Sequence, residues 1–179
     1  MNLSEIFLEN ANQRMNVEVK YNTYVGDPRK IVPLENMNQA VELVVKNNRK
    51  TKSQDEVRKE LTNLAAIAIC VNKESKRTSA MVTLKKADPD TKKEAFEKAG
   101  ISELSDEFIF ELGNIEVAEE ERGKLLPHHL LNRLLGIRSG RGATIYCSTE
   151  SEEIANMLMG FRFERLGKNE GKPFLLGLM

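Results

Sequence analysis

A mixed α/β single domain is the fold class this sequence predicts, and three observations predict it. Apolar runs of strand length, at residues 65–71, 79–84 and 143–148, alternate with segments of helical periodicity. A charged turn, Asn72 to Thr78, joins the first two runs as a hairpin. The stretch Glu111–Leu135, ELGNIEVAEEERGKLLPHHLLNRLL, reads as strand, tight loop, helix. A length of 179 residues, 40% of them apolar, suffices for one domain with a sizeable core.

Residues 2–14 carry Ile6, Phe7 and Leu8 and predict a short amphipathic helix. Val17–Val25 alternates and predicts a strand, closed by the turn signal Gly26-Asp27-Pro28. Ile31–Leu34 reads as another strand. Asn36 or Asn38 then caps a helix carrying Ala40, Val41, Leu43, Val44 and Val45. Lys46–Lys52 holds four basic residues and no acid, as a solvated connection or a phosphate-binding segment. Ser53 and Glu56 have capping-box spacing, and the helix they start runs to about Asn63. After the hairpin, residues 87–106 break the strand pattern and read as an insertion. It holds an exposed helix, Asp90–Ala99, closed by Gly100. The central strand starts near Glu107. Pro127 suits the first helical position, and Leu130, Leu131, Leu134, Leu135 and Ile137 form one apolar face. Ser139–Gly142 is a turn, Ala143–Ser148 a buried strand, and Ser151–Met159 a short helix. Gly160–Phe163 leads into a strand, Lys168–Gly171 turns, and Pro173 opens the last strand. Leu175–Leu178 reads as an exposed edge able to pair with a second copy, which would give a homodimer.

Composition narrows the function classes. Lys+Arg and Asp+Glu both number 27, so bulk attraction to nucleic acid or to a membrane is not expected. No apolar run has the length of a membrane span, and the first residues lack the pattern of a signal peptide. Cys70 and Cys147 lie in apolar runs and read as buried free thiols of a cytoplasmic protein. Neither the cysteines nor the His128-His129 pair has metal-site spacing, so no metal is expected.

The segment Glu119–Lys124 is a charged, exposed loop between a strand and a helix N-terminus. Backbone N–H groups and the helix dipole converge there, which suits an anion such as a pyrophosphate; a plain strand-to-helix connection has the same pattern. The stretch Glu94–Glu121 holds ten acids and one base, Lys98. It reads as a solvated acidic face, or as a negative field favouring a cationic substrate.

Ile115–Leu135, the following buried strand and short helix, the Gly160-Phe161 pair and the closing strands together resemble the GCN5-related N-acetyltransferase superfamily. Arg122-Gly123-Lys124 stands where that family's loop, Arg/Gln-x-x-Gly-x-Gly/Ala, begins. The resemblance implies a mostly antiparallel central sheet flanked by helices, an acyl-CoA N-acyltransferase-like fold. It spans residues 30–179, leaving 1–29 as an N-terminal extension. It implies acetyl-CoA as co-substrate and an amine acceptor, small molecule or protein. Arg122, Gly123, Lys124, Leu125 and Leu126 would hold the pyrophosphate, and the Val117 N–H would polarise the thioester carbonyl. Of the central-strand carboxylates, Glu116 lies nearer the loop than Glu111 and would be the general base that the resemblance implies. The two are five residues apart, so strand alternation puts them on opposite faces. The family's first glycine falls on Leu125 and its second small residue on Pro127. Asn156 stands where many members carry a tyrosine acid. These departures suit a second reading, a binding or regulatory module that keeps the fold without catalysis.

Overall fold

The computed structural model describes residues 17–47, 52–138, 144–167 and 173–178. Seven strands form a sheet in the order β1-β2-β3-β4-β5-β7-β6. These are β1 Tyr21–Gly26, β2 Ala66–Asn72, β3 Thr78–Lys86, β4 Phe110–Val117, β5 Ile145–Thr149, β6 Glu164–Arg165 and β7 Phe174–Leu178. The helices are α1 Pro28–Ile31, α2 Leu34–Asn47, α3 Gln54–Thr62, α4 Pro89–Lys98, α5 Leu126–Arg138 and α6 Glu152–Met159. The sheet is mostly antiparallel; β4 and β5 run parallel, with Phe110 opposite Ile145 and Glu111 opposite Tyr146. The backbone divides into two compact units, Met1–Thr83 with Asn114–Leu134, and Leu84–Gly113 with Leu135–Met179.

In the first unit, β1 pairs antiparallel with β2, Tyr21 opposite Asn72 and Gly26 opposite Ile67. Residues 21–26, expected in an extension outside the domain, are therefore part of the sheet. The strand is shorter than expected, because residues 17–20 are helical. Asp27 and Pro28 start a helix rather than only turning the chain: Asp27 accepts the Arg29 N–H at 3.0 Å and Pro28 takes the first helical position. The strand expected at 31–34 does not form: α1 ends at Ile31 and α2 begins at Leu34. Asn36 is therefore not the cap of α2. Asn36 is buried inside the helix, where its carbonyl accepts the Thr78 hydroxyl at 3.2 Å. The capping box at Ser53 forms in both directions: Ser53 Oγ accepts the Glu56 N–H at 3.3 Å, and Glu56 accepts the Ser53 N–H at 2.7 Å. The core of this unit joins Ile67, Ile69 and Val71 of β2 to Val41 and Val44 of α2 and Val57 and Leu61 of α3.

In the second unit, Asp88 caps α4, and Gly100 follows the helix at φ +71°. The helix is not wholly exposed. Phe96 is fully buried, 5.2 Å from the Phe108 ring and 5.4 Å from the Tyr146 ring between centroids. Ser151 Oγ caps α6 by accepting the Ile154 N–H at 3.2 Å. The expected homodimer edge is not an edge: β7 lies between β5 and β6, and Leu175 and Leu176 are buried. The expected turns at 139–142 and 168–171 fall outside the described residues, as do residues 2–14 and 48–51. Among the described residues no helix is long and apolar enough to cross a membrane, and no group of His, Cys, Asp and Glu is arranged to hold a metal ion.

Candidate active site

Glu116 lies near the end of β4, half-buried. The Asn47 amide, on the last residue of α2, donates to Glu116 Oε2 at 2.8 Å and to the Val117 carbonyl at 3.3 Å. Glu111 has a different set of partners. It pairs with Lys85 Nζ at 3.1 Å and accepts the Tyr146 hydroxyl at 2.8 Å. Tyr146 is buried; burial, then the charge of Glu111, push its phenol upward, so it is a poor proton donor to solvent or ligand.

The chain leaves β4 through a short anchored loop. The Ala118 N–H donates to the Ser79 carbonyl at 2.8 Å, and Glu119–Glu121 make one turn of 3₁₀ helix. Gly123 follows at φ +78°, a conformation that favours glycine, and open space surrounds the position a Cβ would take. The first bond of α5 runs from the His129 N–H to the Leu125 carbonyl at 3.0 Å, which puts Pro127 second in the helix rather than first. Among the described residues the N–H groups of Gly123, Leu125 and Leu126 have no protein acceptor. Arg122 and Gly123 are exposed and Leu125 is half-buried. The Leu126 side chain belongs to the core, fully buried, so only its backbone can meet a ligand.

Two expectations about charge change. Lys124 does not point out as a free cation; its ammonium donates to Glu121 Oε2 and, at 3.3 Å, to the Tyr21 hydroxyl. Glu121, expected on an exposed loop, is 6% exposed. It also accepts the Tyr21 hydroxyl at 2.7 Å, the Ser79 hydroxyl at 3.3 Å and the Asn72 amide at 3.5 Å. Burial alone would raise the Glu121 carboxyl, but hydrogen bonds from Lys124 and Tyr21 and the charge of Lys124 outweigh it and hold the group below its ordinary value. Part of the acidic run is likewise paired with bases: Lys98 with Glu94, Lys93 with Glu97, Lys85 with Glu111 and Lys46 with Glu119. Sequence reasoning missed Glu121 because Glu119, Glu120 and Glu121 are chemically identical. The one local hint was the three-residue spacing to Lys124.

Of the remaining candidates, His129 in the first turn of α5 lies 3.1 Å from the Thr23 hydroxyl, and His128 is exposed. Cys70 and Cys147 are buried free thiols. Burial pushes them up to about 11 and about 12, which leaves both without nucleophilic thiolate at neutral pH. Asn156 is exposed on α6.

No protein-family model matches the sequence, and no curated protein matches it. Solved structures do match. A mosquito arylalkylamine N-acetyltransferase-like 5b aligns with a TM-score of 0.61 at 10% identity, covering 87% of this chain and 98% of that one. A chain of the NatC complex bound to Gag peptide and CoA aligns with a TM-score of 0.61 at 18% identity, covering 89% and 98%. Arabidopsis thaliana NAA60 in complex with acetyl-CoA aligns with a TM-score of 0.59 at 13% identity, covering 88% and 97%. At these identities the likeness is one of fold, and it extends over nearly the whole of each relative. The chain therefore has the acyl-CoA N-acyltransferase-like fold, a mostly antiparallel sheet flanked by helices.

Proposed function

We propose that the protein transfers an acetyl group from acetyl-CoA to an amine acceptor by direct attack in a ternary complex. The observation that carries this reading is the β4–α5 loop of an acetyltransferase fold, with three backbone N–H groups that have no protein acceptor among the described residues. These donors fit a pyrophosphate, and the adjacent helix N-terminus favours negative charge. Arg122 is exposed and has no ion-pair partner among the described residues, so it is the side-chain cation of the loop. Lys124 is already bound to Glu121. When bound, acetyl-CoA supplies an activated thioester acetyl group.

The chain's own residues then have three tasks. Gly123, Leu125 and Leu126 bind through their backbone. The Val117 N–H orients the acetyl carbonyl. Glu116, held by Asn47, takes the proton from the attacking amine, directly or through water. Asn156 cannot titrate and Tyr146 is bound to Glu111, so return of a proton to the thiolate falls to water. Primary amines or peptide N-termini are the acceptor class, since the relatives include an arylalkylamine acetyltransferase-like protein and a peptide-bound complex. Two buried free thiols fit the reducing cytosol as the compartment.

A second reading, a binding module without turnover, is favoured by Pro127, which has no N–H to offer, and by the engagement of Lys124 with Glu121.

Titration of the purified protein with acetyl-CoA and with CoA, followed by an amine and peptide screen, separates the two. The enzyme reading expects saturable binding, weakened in Gly123→Val, where a β-branched side chain is forced to positive φ. It also expects Glu116→Gln to lower kcat by about 100-fold with acetyl-CoA affinity nearly intact. Binding with no acetylated product from any acceptor would leave the module reading. No binding at millimolar ligand would remove acetyl-CoA altogether.

A further inference from the structure

We propose that Glu121, Tyr21 and Lys124 form an internal clamp that positions the β4–α5 loop for the pyrophosphate. Glu121 and Lys124 then act on the ligand as positioning residues and not as ligands. The inference rests on the acetyl-CoA reading above and deepens it.

The geometry is specific. Glu121 is the last residue of the 3₁₀ turn, two residues before Gly123. Its carboxylate collects donors from three strands, Tyr21 on β1, Asn72 on β2 and Ser79 on β3, and a fourth from Lys124 in the loop itself. Past Glu121 the backbone bonds inside the loop join neutral groups only, at 3.3 Å from Arg122 to Glu119 and 3.4 Å from Lys124 to Glu121. Such bonds are weak restraints, whereas hydrogen bonds to a buried charge are among the stronger ones. Hence the carboxylate, more than the loop's own backbone, fixes where the Gly123 and Leu125 N–H groups stand. An amide at position 121 would present an NH₂ to partners that are themselves donors. The clamp also explains the direction of Lys124: its charge is spent on a carboxylate 8% exposed, not on a ligand.

The test compares full-length wild type with Glu121→Gln, Tyr21→Phe, Lys124→Met and Arg122→Met. Two readouts are used: acetyl-CoA binding across a salt series, and hydrogen exchange of the Gly123 and Leu125 amides without ligand. Glu121→Gln is expected to weaken acetyl-CoA by roughly ten-fold, with kcat at saturation within about two-fold and with faster exchange at both amides. Lys124→Met is expected to weaken binding while keeping the wild-type salt slope, whereas Arg122→Met makes the slope shallower. A shallower slope in Lys124→Met would make it a direct ligand and overturn the assignment. Unchanged affinity and exchange in Glu121→Gln would overturn the clamp. If Glu121→Gln does not fold, Tyr21→Phe, which removes one oxygen, carries the same comparison. If wild type binds no acetyl-CoA, the cofactor reading falls by itself. Exchange then decides the clamp, faster in Tyr21→Phe if it holds and unchanged if it does not.

Discussion

The carboxylate of Glu121 and the ammonium of Lys124 stabilise each other, and the sign of each shift sets the pH range of that stability. Glu121 is held below its ordinary value of 4.5, so its contribution is present above that value and is lost as pH falls through the folded-state pKa. Lys124 is raised above 10.5, first by its hydrogen bond to Glu121, so its contribution is present below that value and is lost as pH rises further. The clamp is therefore fully engaged between about 4.5 and 10.5. Below pH 4.5, wild type should lose stability faster than Glu121→Gln; thermal melts at stepped pH check this, and parallel curves would count against it. Which glutamate goes inside was not legible in a run of three. The choice is made by Tyr21, Asn72 and Ser79, which lie between 42 and 100 residues away in sequence. Glu116 was legible as a candidate, because it needed only its place on β4. Its support by Asn47 was not.

At the scale of elements, the sequence showed what local chemistry decides. The capping box of α3, the β2–β3 hairpin and the strand–loop–helix at β4 all stand where spacing and turn residues put them. α1 was missed because Asp27-Pro28 serves a turn and a helix start equally well until the following bonds are known. The burial of Phe96 was missed because a single aromatic on a charged helix has no periodic signal; its partners come from Phe108, Tyr146 and Leu175. β7 was read as an edge because it closes the chain's strand order, yet the sheet places it between β5 and β6; Pro173 stands just before it, as expected. β7 also contains a closely packed glycine. A Cβ on Gly177 would come within 2.7 Å of both the Phe108 ring and the Leu166 side chain. Gly177→Ala should destabilise the protein by about 1–3 kcal/mol through this overpacking, read as a lower denaturant midpoint at unchanged slope. An unchanged midpoint would mean that the aromatic cluster yields freely.

For the whole molecule, balanced charge has a measurable outcome. With 27 basic and 27 acidic residues and a sequence pI near 6.8, solubility should pass through a minimum close to neutral pH and rise on either side. Precipitation by polyethylene glycol across pH 5.5 to 8.5 would show it, and a flat profile would contradict it. The fold was legible from the second half of the chain, where strand, loop and helix are contiguous. The place of β1 in the sheet was not, since its pairing with β2 joins residues more than 40 positions apart.

The order of strands has a consequence for how the chain is made. β6 pairs with β7, which follows it in sequence and lies between it and β5. On the ribosome β6 therefore emerges before the strand that holds it. Until β7 arrives, Phe108 and Tyr146 lack part of their cover, Leu175. A nascent chain arrested in that interval would display aromatic surface to holdase chaperones.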